Sequence, residues 1–184
     1  TGRFLRHFLY QGFNTDERGR KAFDGMLIHT AGAGRGSFNH RFAQPSRDAH
    51  RYSAFFYPTD LFPFTSRTQT DPVSGREDGL FSGIPEEHRP LVFYTNTGYE
   101  YWGRAASLIH TSVDGRQDVT PFENERIFHL AGGQHFVGGF PPSGEALLGD
   151  GPIPSYRGNP VNFLLSLRAL SQRLIRWVEG EEEP

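Results

Sequence analysis

Three consecutive segments in the second half of the chain constrain its fold most. PLVFYTN (residues 90 to 96) is an apolar run of strand length, YEYWGRAASLIH after it reads as a helix, and ERIFHLAG (residues 125 to 132) reads as the next strand. Strand, helix, strand at this spacing is a right-handed parallel crossover, because a hairpin connection has no room for a helix. A strand that is apolar along its length is buried on both faces. The fold class expected is therefore α/β with a parallel sheet, and the flanking segments agree with it. Phe4, Leu5, Phe8 and Leu9 recur at helical spacing and Gly12 follows as a stop, so residues 2 to 11 predict a helix with one buried face. FDGMLIHTAG (residues 23 to 32) predicts a short strand running into a glycine loop. The clearest helix is the last. Asn159 is its expected cap, Pro160 lies in its first turn, Phe163, Leu167, Leu170, Leu174, Trp177 and Val178 form one stripe, and Gly180 ends it.

At 184 residues with 36% hydrophobic content, the chain fits one domain with a real core. From Gly34 to Arg89 periodicity fails. Pro45, Pro58, Pro63, Pro72 and Pro85 punctuate a stretch that is aromatic where a linker would be polar, so residues 34 to 89 are expected to be a cap inserted into a single domain spanning 1 to 184. A formal charge of -2 without a dense basic cluster gives no footprint for nucleic acid. The absence of cysteine excludes disulfides and thiol nucleophiles within these residues. No run of eighteen apolar residues is present, so no membrane span is expected.

The candidate chemistry centres on His135, in the run HLAGGQHFVGG (residues 129 to 139). A histidine on a glycine-flanked loop just past a strand is free to reach a neighbouring group, whereas one inside the strand would be fixed by packing. As a general base it needs a carboxylate to fix its tautomer and stabilise its imidazolium. Glu100, a few residues past the PLVFYTN strand, is the first choice, with Tyr99, Tyr101 and Trp102 beside it to exclude water. The competing reading of Glu100 is a first-turn glutamate favoured by the helix dipole. Asp114 and Asp118 in the same crossover, and Asp60 in YPTDLFPF, are alternatives, although DGRQD reads first as a turn. Trp102 and Phe136 flank the acid and base and are the expected substrate-lining residues. Cap rings could line an apolar pocket, with Arg41 or Arg47 meeting an anionic substituent, or could simply pack the cap onto the sheet. A metal set could be assembled from Asp48, His50 and Asp60, or from Asp71, Glu77 and Asp78 around Gly75. Neither has a ligand spacing, so no metal is expected. The AGAGRG run lacks the helix that a nucleotide-binding loop requires, so no cofactor is expected either.

The element order helix, strand, insertion, strand, helix, strand, loop histidine, helix resembles the C-terminal half of an α/β-hydrolase, whose triad runs nucleophile, acid, histidine. The wording of the chain is similar too. TGRFLR with GFN, FDG, RGSFN, FYPTD and TQTDP, then EYWG, AG.QH and the terminal NP...RAL, resembles the "alpha/beta hydrolase domain-containing" esterase-like family over nearly all of the chain. The resemblance implies the C-terminal part of an α/β-hydrolase parallel sheet with an aromatic-rich cap. It also implies a carboxylic-ester hydrolase in which Glu100 and His135 are the acid and base of a Ser-Glu-His triad. The family's elbow reads G-x-S-Q-S/T-G-R-F-L-R, which makes Thr1 and Gly2 its last two residues and puts the serine two positions before Thr1. The expected partners are a small-molecule ester and the segment carrying that serine, within a longer chain or as a separate one. Two rival readings are an N-terminal nucleophile hydrolase using Thr1 and a non-catalytic binding module.

Overall fold

The computed structural model describes residues 2–36, 60–142, 157–181 and 183–184. Three parallel strands form the central sheet in the order β1 (Gly25–His29), β4 (Leu91–Thr97), β5 (Glu125–Leu130). Ile28 lies beside Tyr94, and Tyr94 beside Ile127. The crossover expected between the second and third of these strands is present, and β4, between them, is buried along nearly its whole length.

Strand alternation divides the side chains between two faces. Met26, Ile28, Val92 and Tyr94 point to one face, where they form a core with Leu9 of α1 (Gly2–Tyr10). The other face carries Phe93 and His29. Phe93 packs on Trp177, and His29 on Phe163, of the segment ending in α3 (Leu164–Val178). The result is a helix on each side of the sheet. Each fully buried large aliphatic or aromatic side chain contributes about 1.5–3 kcal/mol through removal from water.

The described part of the expected cap, residues 60 to 89, forms a two-stranded antiparallel ladder of β2 (Gln69–Thr70) and β3 (Glu77–Asp78) around a turn at Gly75. Its Leu80, Phe81 and Ile84 join the Leu9 core. Arg6 ties this layer to the sheet. Its guanidinium, only 1% exposed, donates to the carbonyls of Gly34 (3.1 Å), Ala33 (3.2 Å) and Phe64 (2.7 Å). At the other end of the sheet Glu125 is also buried. It accepts hydrogen bonds from the Tyr94 hydroxyl (3.0 Å), the Phe122 amide (3.0 Å) and the Ser66 hydroxyl. Burial pushes the Glu125 carboxyl above its ordinary range, against the pull of these donors.

Two elements depart from the sequence pattern. The expected helix after β4 is broken: α2 (Gly98–Gly103) stops, Ala105 takes a left-handed φ of 50°, and a 3-10 turn continues over Ala106–Ile109. The break brings the Arg104 carbonyl to the Ala33 amide at 2.9 Å. It lies so close to Gly32, whose φ is +59°, that a Cβ there would sit 2.3 Å from the same carbonyl. The last helix begins at Leu164 and not at Asn159, because Asn159 is engaged elsewhere.

Candidate active site

Glu100 and His135 come together at the C-terminal end of the sheet. The Glu100 Oε1 atom lies 2.5 Å from Nδ1 of His135. Glu100 is 0% exposed, whereas the His135 side chain is 37% exposed. The sequence Thr97-Gly98-Tyr99-Glu100 explains the position of the acid. It has the Thr-x-x-Glu spacing of a capping box at the start of α2, so the carboxylate folds back toward the strand end. Oε2 accepts the Thr97 backbone N–H at 3.1 Å and the Thr97 hydroxyl at 2.5 Å. Burial alone would raise the Glu100 pKa, but the hydrogen bonds from Thr97 and His135 outweigh it, and the carboxyl is held below its ordinary value. The first-turn reading of Glu100 and the orienting reading are thus not exclusive: one oxygen caps α2 and the other faces the histidine.

An ionised carboxylate only accepts, so the atom it faces, Nδ1, carries the imidazole proton. In the neutral ring Nε2 then keeps its lone pair. Tyr99 and Phe136 pack on the ring, with centroids 5.1 and 4.4 Å away, and hold it in place. The loop itself is stitched to its neighbours. Gly98 N–H donates to the Gly133 carbonyl at 3.1 Å, joining the histidine loop to the start of α2. The Gln134 side-chain oxygen accepts the Asn159 amide at 3.0 Å, and Asn159 Nδ2 donates to the Gly132 carbonyl at 2.5 Å. Asn159, expected to cap α3, instead anchors the histidine loop.

A second histidine, which sequence reasoning passed over, shares this region. His29 ends β1 on the same face of the sheet as Thr95, and its Nδ1 lies 2.9 Å from the Thr95 hydroxyl. Burial lowers its pKa; the Glu100 carboxylate acts to raise it and His135 to lower it. A strand-end histidine has no sequence mark that separates it from a packed one, so only the sheet register could reveal it. The start of α1 meets the same strand end. Gly2 sits against the His29 carbonyl so closely that a Cβ would come within 2.2 Å of its oxygen. A helix N-terminus thus points into the region where His29 ends.

The other candidates separate from this pair. Trp102 follows Glu100 by two helical residues, a rotation of roughly 200°; it packs edge-on against Tyr101 and borders a cleft whose lining does not include Glu100, His135 or Phe136. Phe136 is at the histidine. Asp114 accepts from Ser112 and the Arg116 amide in an exposed turn, and Asp118 pairs only distantly with His110 at 4.0 Å. Asp60 lies among Arg104, Arg3 and Arg6, and burial raises its pKa against them. Asp71 closes the turn at Gly75 by accepting from the Val73 and Ser74 amides. Among the described residues no cluster of three potential metal ligands occurs. Thr1, Arg41, Arg47, Asp48 and His50 lie outside the described residues.

Among the described residues the hydrogen-bond partner of the His135 ring is the Glu100 carboxylate, and no hydroxyl is bonded to it. None of the described helices is long and apolar enough to cross a membrane. No curated protein and no solved structure matches the chain. One family model, described as an alpha/beta hydrolase domain, matches residues 1–184. A parallel sheet with a carboxylate just past one strand and a histidine just past the next, matched end to end by that model, makes this chain a member of the alpha/beta hydrolase domain family.

Proposed function

We propose that the chain supplies the acid and base of a carboxylic-ester hydrolase. The observation that carries this reading is the 2.5 Å approach of His135 Nδ1 to the buried carboxylate of Glu100, which leaves Nε2 as the open, basic nitrogen. A serine hydroxyl placed at Nε2 loses its proton to the imidazole as its oxygen attacks the ester carbonyl. His135 then returns that proton to the departing alkoxide, leaving an acyl-serine. Water is deprotonated by the same nitrogen in the second half, and the acid product and free serine are released. Glu100 stabilises the imidazolium in both halves. Phe136 and Tyr99, against the ring, are the nearest candidates for contact with the acyl or alcohol group. The serine is assigned to the position two residues before Thr1 by the elbow motif. The close seat of Gly2 on the His29 carbonyl supports that assignment, since it brings the start of α1 to this end of the sheet.

The test compares two proteins on an activated ester such as p-nitrophenyl acetate. The 184-residue chain alone is expected to show no turnover, and a chain extended upstream through the G-x-S-x-T-G elbow is expected to turn over. In the extended form His135→Ala should remove several orders of magnitude of rate. Turnover by the short chain that Thr1→Ala abolishes would replace this reading with an N-terminal threonine nucleophile.

A further inference from the structure

On the far side of α2 from the histidine pair lies an open cleft of about 1070 Å³, bordered by Tyr101, Trp102, Thr120, Glu123, Arg126 and His129. Nothing in the proposed hydrolysis uses it. Trp102 on its wall is 87% exposed, which leaves an indole largely in water and nearly all of its surface unused. Tyr101 stands beside it at 75°, and His129 packs on Tyr101 with centroids 5.1 Å apart.

The polar groups of the cleft narrow the ligand. The side chains of Tyr101, Trp102, Thr120, Glu123 and His129 have no hydrogen-bond partner among the described residues, so the wall offers a phenol, an indole N–H, a hydroxyl, a carboxylate and an imidazole. This set mixes donors and acceptors beside a ring face. Arg126 adds no free positive charge, since it pairs with Glu183 and donates to the carbonyls of Glu123, Glu125 and Pro184. An anionic ligand would therefore meet the Glu123 carboxylate without a free cation to hold it. A purely apolar ring would use Trp102 and leave the polar side chains unmatched. A small organic cation would meet the Trp102 face and the Glu123 carboxylate, but Tyr101 is already covered by His129 and by the ring of His110, so among the described residues the wall lacks the several open rings of a cation cage. A neutral, hydroxylated ring satisfies all of the features together: its C–H face lies on the indole and its hydroxyls both give and take hydrogen bonds.

We infer that this cleft is a carbohydrate-binding subsite that takes a neutral sugar ring on Trp102, separate from the hydrolytic pair. Its existence does not depend on the chemistry assigned to His135.

The two tryptophans make the test direct. Trp177 is packed against Phe93 under the Arg126 guanidinium, so a change in the exposed indole emission reports Trp102. The chain is titrated with glucose, maltose and cellobiose, with tetramethylammonium and phenol as competing chemistries, and binding is read in parallel by saturation-transfer NMR on each ligand. At least one of the sugars should give a saturable blue shift. Trp102→Ala and Glu123→Ala should each weaken it by about tenfold or more. Both positions are exposed, and unchanged circular dichroism confirms that the variants are folded. His135→Ala should leave sugar binding intact. Failure of every sugar to saturate, saturation insensitive to Trp102→Ala, or tighter binding of tetramethylammonium or phenol overturns the assignment.

Discussion

Replacing Glu100 by glutamine changes one atom and should reverse the proton on the neighbouring histidine. Oε2 accepts from the Thr97 backbone N–H, a group that can only donate. In Glu100→Gln the amide oxygen must therefore take the Oε2 place, which turns the amide NH2 toward His135 Nδ1. Two donors cannot face each other at 2.5 Å, so the imidazole has to move its proton to Nε2 and accept at Nδ1. Both Thr97 hydrogen bonds survive, and all three bonds to the former carboxylate change from charge-assisted to neutral. Each conversion costs about 1 kcal/mol, the difference between a charged and a neutral bond, and the sum is largely offset because no charge is left buried. The net destabilisation expected is about 1 kcal/mol, or roughly 2–4 °C in Tm. The tautomer change is complete by comparison. Nitrogen-15 NMR of the ring distinguishes protonated from bare nitrogens, and it can be read on the chain itself without any activity. In a catalytically complete form, a wrong tautomer should lower kcat by about 10⁴-fold, or roughly 5.5 kcal/mol. If the variant keeps its proton on Nδ1, the hydrogen-bond logic of the site is wrong.

Two further predictions concern stability. Gly2→Ala places a Cβ 2.2 Å from the His29 carbonyl oxygen and 3.1 Å from the Ala31 Cβ, so α1 must shift off β1. Urea melts should show a loss of about 2–3 kcal/mol, and a neutral result would mean that the start of α1 is not seated as described. Glu125 gives a pH dependence. Its folded pKa is raised, so its contribution to stability is full below the ordinary value of 4.5 and is lost as pH rises through the folded pKa. Wild type should therefore lose stability relative to Glu125→Gln as pH is raised from about 4 to about 8; parallel curves would show that the carboxyl is not held protonated by burial.

The sheet, its crossover and the flanking helices were legible because each has a local pattern: Val92, Phe93 and Tyr94 announce a buried strand, and Phe163, Leu167, Leu170, Leu174 and Trp177 announce a helical stripe. Glu100 and His135 could be chosen because both follow strands of one crossover. What could not be read was set by contacts distant in sequence. The break after Gly103 answers to Gly32 and Ala33, about seventy residues earlier, and the late start of α3 answers to Gln134 and Gly132. The side on which Trp102 lies is set by the rotation of a six-residue helix, which nearness in sequence does not convey. His29 looks like any strand residue until Thr95 is known to be its neighbour.

The bond from Gln134 to Asn159 has a consequence for how the molecule comes apart. Asn159 precedes α3, and its side chain and amide hold the loop that carries His135. Loop and terminal helix therefore open as one cooperative unit, and the exchange of amide hydrogens in the loop should follow that of α3 with a common free energy of opening. Any binding event or fusion that frays the last helix would then displace the His135 ring from a distance, without touching Glu100 and without unfolding the sheet.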